Sequence, residues 1–102
     1  MQNTQKAVST FCQDNNIEAS PLFRLLDLSS ELGEIAKEFL HITNYGKDLN
    51  IIKTEALEAE LGDALFSLIC LANSLDINLE SSLAKVMEKY AMRIKQTGNP
   101  GS

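Results

Sequence analysis

The sequence predicts an all-α fold: a four-helix bundle-like domain that completes its core by homo-oligomerisation. Apolar residues recur three and four positions apart through long segments, which is the period of an α-helix. Turn formers are scarce, with two prolines and five glycines in 102 residues, and this disfavours a turn-rich all-β fold. A chain of this length leaves much of its surface exposed, so self-association is a reasonable way to complete the core. We expect one domain over residues 1–97 and a flexible tail over residues 98–102.

The first two helices are expected at residues 3–14 and at about residues 21–44. The first is short and polar, and the run Asp-Asn-Asn at 14–16 ends it. The second has a clear beginning, because Ser20 is a good cap and Pro21 suits a first helical position, where its missing N–H had no partner. The predicted apolar stripes are Ala7, Val8 and Phe11 on the first helix, and Leu25, Leu28, Leu32, Ile35 and Phe39 on the second.

The third and fourth helices follow a loop and are expected at about residues 54–74 and 79–96, the last with Asn78 as its cap. No charged residue occurs over residues 64–75, so the third helix is predicted to be buried on nearly all sides. That uncharged run is also too short to span a membrane. The residues predicted to face inward from the fourth helix are Leu79, Leu83, Val86, Met87, Tyr90 and Ile94.

Charge and cysteine content narrow the function classes. The formal net charge of −5 argues against binding a nucleic-acid polymer by charge alone, because such binding needs a basic surface. Cys12 and Cys70 are too few for a disulfide framework, and we expect both to be reduced in a cytoplasmic protein. The N-terminal residues lack the pattern of a signal peptide, and no membrane association is expected.

Five carboxylates are notable because they border the apolar faces of their helices. On the second helix, Glu31, Glu34 and Glu38 fall within an arc of about 60°, spread over about 10 Å of the axis. Glu60 and Asp63 begin the third helix and have apolar residues on both sides. Carboxylates close to an apolar core are costly unless something neutralises them, and a divalent cation would do so.

The two acid pairs have the form Glu-x-x-Glu and Glu-x-x-Asp, and together they offer four or five oxygen ligands. Mg²⁺, with Mn²⁺ as a substitute, prefers oxygen ligands in octahedral geometry and shares them with substrate phosphates. The glycine inside each pair, Gly33 and Gly62, would let a helix or a ligand approach closely. The chemistry that fits is phosphoryl or nucleotidyl transfer to water, in which Glu38 could orient or deprotonate the water.

A basic stripe lies on the last helix of this acidic chain. Lys85, Lys89 and Arg93 are spaced by four and are candidate substrate-binding residues, because they could take up charge on a leaving pyrophosphate. Pairing with acids on the same helix, such as Glu88, is the alternative. The single histidine, His41, is expected at the surface or at an interface.

These motifs are similar to those of a known family. Ser-Glu-Leu-Gly-Glu at 30–34, followed after a loop by Glu-Leu-Gly-Asp-Ala-Leu-Phe at 60–66, resembles the signature of the MazG-like nucleotide pyrophosphohydrolases, an all-α superfamily. The resemblance covers about residues 20–95. It implies a homodimer or homotetramer with active sites near subunit contacts. It also implies Mg²⁺-dependent cleavage of a nucleoside triphosphate to a monophosphate and pyrophosphate. Cys70 and Tyr90 differ from the asparagines of many relatives, which leaves the base and sugar open.

The resemblance also implies roles for particular residues. The implied metal ligands are Glu31, Glu34, Glu60 and Asp63; these four and Glu38 are the candidate catalytic residues, and Lys85, Lys89 and Arg93 are the candidate phosphate contacts. The expected role is house-cleaning of the nucleotide pool, acting on canonical or damaged (d)NTPs. Two alternatives stay open. One is a non-catalytic acidic helical module that dimerises and binds a protein partner, and the other is the same fold acting on a phosphoribosyl-nucleotide.

Overall fold

Four helices make up the structure of this chain, a computed structural model that describes residues 1–101. Within those residues there is no strand, so the all-α prediction is confirmed, and each helix begins and ends within two residues of its expected bounds. The helices are α1 (Gln2–Asp14), α2 (Pro21–Ile42), α3 (Glu55–Ser74) and α4 (Leu79–Thr97).

Side-chain caps fix where three of the helices begin. The hydroxyl of Ser20 accepts the backbone N–H of Phe23, and Pro21 occupies the first position of α2, as predicted. The side chain of Asn78 caps α4 in the same way, by accepting the N–H of Ser81. Thr54 immediately precedes α3 and caps it, because its hydroxyl also accepts a backbone N–H. Local sequence therefore determines these boundaries.

The end of α2 depends on Thr43. Its hydroxyl donates to the carbonyl oxygen of Phe39 at 2.7 Å and accepts the N–H of Gly46 at 3.1 Å. The chain then passes through three residues with positive φ, at 44–46, and this is a backbone region in which glycine alone is unstrained. The helix therefore stops at Ile42, two residues earlier than the periodicity predicts.

Helices α2 and α3 form an antiparallel hairpin, and this hairpin is the most extensive packing in the structure. Glu38, late in α2, contacts Thr54 just before α3. Glu31, earlier in α2, lies beside Glu60 and Asp63, which come later in the chain. The two helices therefore run in opposite directions. Helix α1 packs on α3, and α4 has its main contacts with α1.

A buried glutamine joins α1 to the turn between α3 and α4. The amide nitrogen of Gln5 donates to the side-chain oxygen of Asn73 at 3.1 Å and to the carbonyl of Ile77 at 2.9 Å. Its amide oxygen accepts the N–H of Leu79 at 2.8 Å, which satisfies a free donor at the start of α4. The buried face of α1 is thus Gln5 and Cys12, whereas Phe11 of the predicted stripe is exposed at its edge.

One chain alone is more open than a closed bundle. Its radius of gyration is 16.7 Å, whereas a compact chain of this length has about 13 Å. The prediction that α3 is buried on nearly all sides is wrong for a single chain, because only the side that faces α1 and α2 is covered. Exposed large apolar side chains include Leu25, Leu32, Leu61, Leu65, Leu68, Leu83, Met87 and Ile94. Several of these were expected to face inward.

None of the helices among residues 1–101 is both long enough and apolar enough to cross a membrane.

Candidate active site

Three carboxylates from the two helices of the hairpin converge. Glu31 comes from α2, and Glu60 and Asp63 come from α3; one oxygen of each lies within 4.8 Å of the others. Glu60 and Asp63 lie three residues apart, so they share one face of α3. The antiparallel packing places that face against Glu31. All three residues are among the metal ligands predicted from the sequence.

The electrostatics of the cluster follow from its crowding. The pKa of Glu60 is raised above its ordinary value of 4.5, first by burial and then by the negative charges of Glu34, Asp63, Glu31 and Glu38. The other four acids predicted from the sequence therefore lie near enough to Glu60 to raise its pKa. Like charges held together in this way favour a bound proton or a bound cation.

The donor set fits a hard divalent cation. Carboxylate oxygens are ligands of Mg²⁺, and oxygens bound to one such ion at 2.0–2.1 Å are at most about 4.2 Å apart. The present spacing of up to 4.8 Å needs only small side-chain rotations to reach that value. Within residues 1–101, no other group of three or more histidine, cysteine or acidic side chains converges in this way.

Glu34 and Glu38 occupy different positions around the cluster. Glu34 is not one of the three converging side chains, although its charge reaches Glu60. The carboxylate of Glu38 accepts a hydrogen bond from the hydroxyl of Thr54 at 3.5 Å and lies 4.0 Å from Nδ1 of His41. Glu38 is therefore held beside the cluster by its own partners.

His41 has a neighbour that the sequence interpretation overlooked. It follows Glu38 by three residues, and this spacing, which brings helical side chains together, was a readable signal. The imidazole also packs edge-on against the ring of Tyr45, 6.4 Å between centroids. Glu38 and His41 form one Glu-x-x-His motif. A ferritin-like di-iron centre needs this motif on two helices, and the sequence holds one histidine, so such a centre is disfavoured.

The glycines between the acids do not serve a close helix contact in this chain. A Cβ added at Gly33 or at Gly62 would meet nothing within 4 Å. The expectation that these glycines let a helix approach closely is therefore wrong for the single chain, and the close approach of a ligand stays a prediction. Both positions face open space beside the acids.

The basic stripe of α4 is not joined to the acids. Within residues 1–101, none of its three side chains forms an ion pair with a carboxylate, so the alternative of pairing with Glu88 is not seen. The ammonium group of Lys89 lies 5.3 Å from the ring centroid of Tyr90, and the guanidinium of Arg93 donates to the carbonyl of Pro100 at 3.4 Å. Lys85 is exposed.

Two antiparallel helices that bring Glu31 against Glu60 and Asp63 define the class: an all-α protein with a candidate site for a divalent metal ion. The family model of the MazG nucleotide pyrophosphohydrolase domain matches residues 20–97. The chain belongs to this family. It is an enzyme of the nucleotide pyrophosphohydrolase class, which decides against the non-catalytic module.

Individual relatives agree with the family. The chain is 45% identical over 78 residues to the uncharacterized protein YpjD of Bacillus subtilis (strain 168), covering 74% of this chain and 68% of that protein. The crystal structure of B. subtilis YpjD superposes with a TM-score of 0.74 at 39% identity, covering 91% of this chain and 94% of that one. A Bacillus-conserved MazG protein, a nucleotide pyrophosphohydrolase, superposes with a TM-score of 0.71 at 38% identity, covering 86% and 85%.

Proposed function

We propose that this chain cleaves a nucleoside triphosphate to the monophosphate and pyrophosphate, with Mg²⁺ as cofactor and Mn²⁺ as a substitute. The convergence of Glu31, Glu60 and Asp63 within 4.8 Å carries this proposal, because it places oxygen ligands from two helices at one point. A nucleotide pyrophosphohydrolase needs such a site to neutralise the charge of a polyphosphate.

Each acid has a proposed role. Glu31, Glu60 and Asp63 would hold the cation, and we assign Glu34 as a fourth ligand because its charge reaches Glu60. When bound, Mg²⁺ would supply charge neutralisation for the phosphates and a water of lowered pKa. Glu38 is anchored by Thr54 beside these ligands, and we assign it to orienting the attacking water.

The assembly is proposed to be a homodimer or homotetramer. Apolar side chains of α2, α3 and α4 are exposed in the single chain, and a second copy would cover them. Because α4 packs mainly on α1, we propose that Lys85, Lys89 and Arg93 contact phosphate at a site completed by a neighbouring copy. The proposed setting is the cytoplasm, where the enzyme removes unwanted (d)NTPs.

Pyrophosphate release from a nucleotide panel tests the reaction. The protein is incubated with canonical and damaged (d)NTPs and with a phosphoribosyl-nucleotide, in Mg²⁺, in Mn²⁺ and in EDTA. Phosphate is then measured with and without added inorganic pyrophosphatase. We expect phosphate to appear only when that coupling enzyme is present. Because the coupling enzyme itself needs Mg²⁺, the EDTA arm is read as nucleoside monophosphate separated by chromatography, and none should form. Direct release of orthophosphate, or no cleavage of any nucleotide with either metal, would overturn the proposal.

Matched acid variants test the site. Glu60→Gln and Asp63→Asn should each lower kcat/KM at least about 100-fold and weaken Mg²⁺ binding in calorimetry, because each removes a charged ligand. Glu34→Gln should do the same, because Glu34 is assigned as the fourth ligand, and wild-type activity in this variant would remove that assignment. Glu55→Gln is the control, since Glu55 lies in the first turn of the same helix but outside the converging group. Full activity in Asp63→Asn would show that the site is misplaced.

A further inference from the structure

Two cysteines that are far apart in the sequence touch in the fold. Sγ of Cys12 in α1 and Sγ of Cys70 in α3 are 3.7 Å apart, and both residues are buried, at 6% and 4% exposure. They are not bonded to each other. Neither residue belongs to the acid cluster. The pair is therefore a feature of the fold for which the proposed hydrolysis has no use.

We propose that Cys12 and Cys70 form a reversible dithiol–disulfide pair that links α1 to α3 when the protein meets a peroxide. A disulfide needs about 2.05 Å between its sulfurs. Closing a gap of 3.7 Å to that length requires rotation of two side chains on helices that already pack together. The bond would close a loop between positions 58 residues apart.

A cavity gives the oxidant a way to the sulfurs. It has a volume of about 90 Å³ and is lined by both cysteines, together with Ser9, Arg24 and Asn73 among its polar residues. One water molecule needs roughly 10–15 Å³ of such volume, so the cavity has room for hydrogen peroxide. Polar side chains at its wall can hydrogen-bond a peroxide as they would water.

The surroundings distinguish the two thiols. A guanidinium nitrogen of the buried Arg24, Nη2, lies 3.9 Å from Sγ of Cys12 and also donates to the carbonyl of Ile17. Burial, followed by the hydrogen bond with Cys12, raises the pKa of Cys70 to about 11. The Cys70 thiol therefore stays protonated at neutral pH, and we assign the first attack to Cys12.

The chemistry balances with one peroxide. The Cys12 thiolate attacks a peroxide oxygen, the O–O bond breaks, and the departing hydroxide takes a proton to become water. Cys12 is then a sulfenic acid. The sulfur of Cys70 attacks the Cys12 sulfur, the S–O bond breaks, and the hydroxide leaves as a second water with the thiol proton. Two thiols have lost two electrons and two protons, and the peroxide has been reduced.

Intact mass after oxidation tests the pair. Reduced protein treated with hydrogen peroxide should lose about 2 Da and yield a Cys12–Cys70 cross-linked peptide, both reversed by a thiol reductant. Its Tm should rise by roughly 5–15 °C on oxidation, because the cross-link restricts the unfolded chain. An unchanged mass, a gain of about 32 Da on one cysteine, or a disulfide between two chains would overturn the proposal.

Single-cysteine variants test the order of attack. In peroxide with dimedone, Cys70→Ser should form a sulfenic-acid adduct at Cys12, whereas Cys12→Ser should form little or none. The reverse labelling pattern would overturn the assignment of the first attack. The peptide map is made on the wild-type protein, so it shows whether the disulfide forms even if a substitution impairs folding. Nucleotide hydrolysis plays no part in these readouts, and the pair is judged independently of the proposed function.

Discussion

The carboxylate of Glu38 accepts a hydrogen bond from the hydroxyl of Thr54, the residue that caps α3. The same hydroxyl accepts the backbone N–H of Leu57 at 3.0 Å. Glu60 and Asp63 follow within the first three turns of α3. One threonine thus fixes the start of the acid-bearing helix and joins it to α2, and the convergence of the carboxylates depends on this placement.

Thr54→Ala should therefore destabilise the protein and weaken the site together. The lost cap costs about 1 kcal/mol of unfolding free energy. We expect a matching decrease in the urea midpoint and weaker Mg²⁺ binding, measured by calorimetry. Thr54→Ser keeps a hydroxyl and is the control, expected to remain close to wild type. Equal loss in both variants would mean that the methyl group matters, and not the hydrogen bonds.

Gln5→Leu should lower the free energy of unfolding, although leucine and glutamine are similar in size. The leucine would leave the carbonyl of Ile77 and the N–H of Leu79 without the partners that Gln5 provides. Two unsatisfied groups at a half-buried site cost about 2–3 kcal/mol, which urea unfolding can measure. The exposed Gln13 of the same helix offers the control Gln13→Leu. If the two variants lose the same free energy of unfolding, the hydrogen bonds of Gln5 make no specific contribution to stability.

The stability of the metal-free protein should depend on pH through Glu60. The pKa of this carboxyl is raised in the folded state, by burial first and then by neighbouring carboxylates, so folding favours its protonated form. That stabilisation is complete below the ordinary pKa of 4.5 and is lost as the pH rises through the raised value. In EDTA, the Tm of wild type should fall relative to that of Glu60→Gln across this window.

Calorimetry over a pH series measures that difference, and Mg²⁺ provides an internal check. At neutral pH the cation should raise the Tm of wild type, because it binds the ionised acids of the folded state. Glu55→Gln, which lies outside the cluster, should keep the wild-type dependence of Tm on pH. If the Tm of Glu60→Gln changes with pH as the Tm of wild type does, another group titrates.

The exposed apolar side of α3 should be an interface between copies. Leu65 and Leu68 lie on that side, and a charge there would be costly to bury. Light scattering after gel filtration should find a dimer or tetramer for wild type and a smaller species for Leu68→Glu. Thr10→Glu, on the exposed surface of α1, is the control and should leave the mass unchanged. A monomeric wild type would remove the proposed role of a neighbouring copy.

The sequence by itself determined the helices and the identity of the clustered acids. Caps and periodicity depend on residues at most four positions apart, so the starts at Ser20 and Asn78 could be predicted without any tertiary information. The acids could be selected because they border apolar faces. Their spacing also placed each pair on one side of its helix, and antiparallel packing then brought Glu31 against Glu60 and Asp63.

Only the tertiary structure decided which side chains meet over long separations. Gln5 is buried against a turn more than 70 residues away, and Cys12 contacts Cys70, because α1 packs on α3 at one particular register. Hydrophobic periodicity predicts a face that will be covered but not what covers it. The apolar side chains of α3 were therefore predicted to lie in the core of a single chain, whereas Leu61, Leu65 and Leu68 are exposed. The relative placement of helices arises from contacts that no local pattern records.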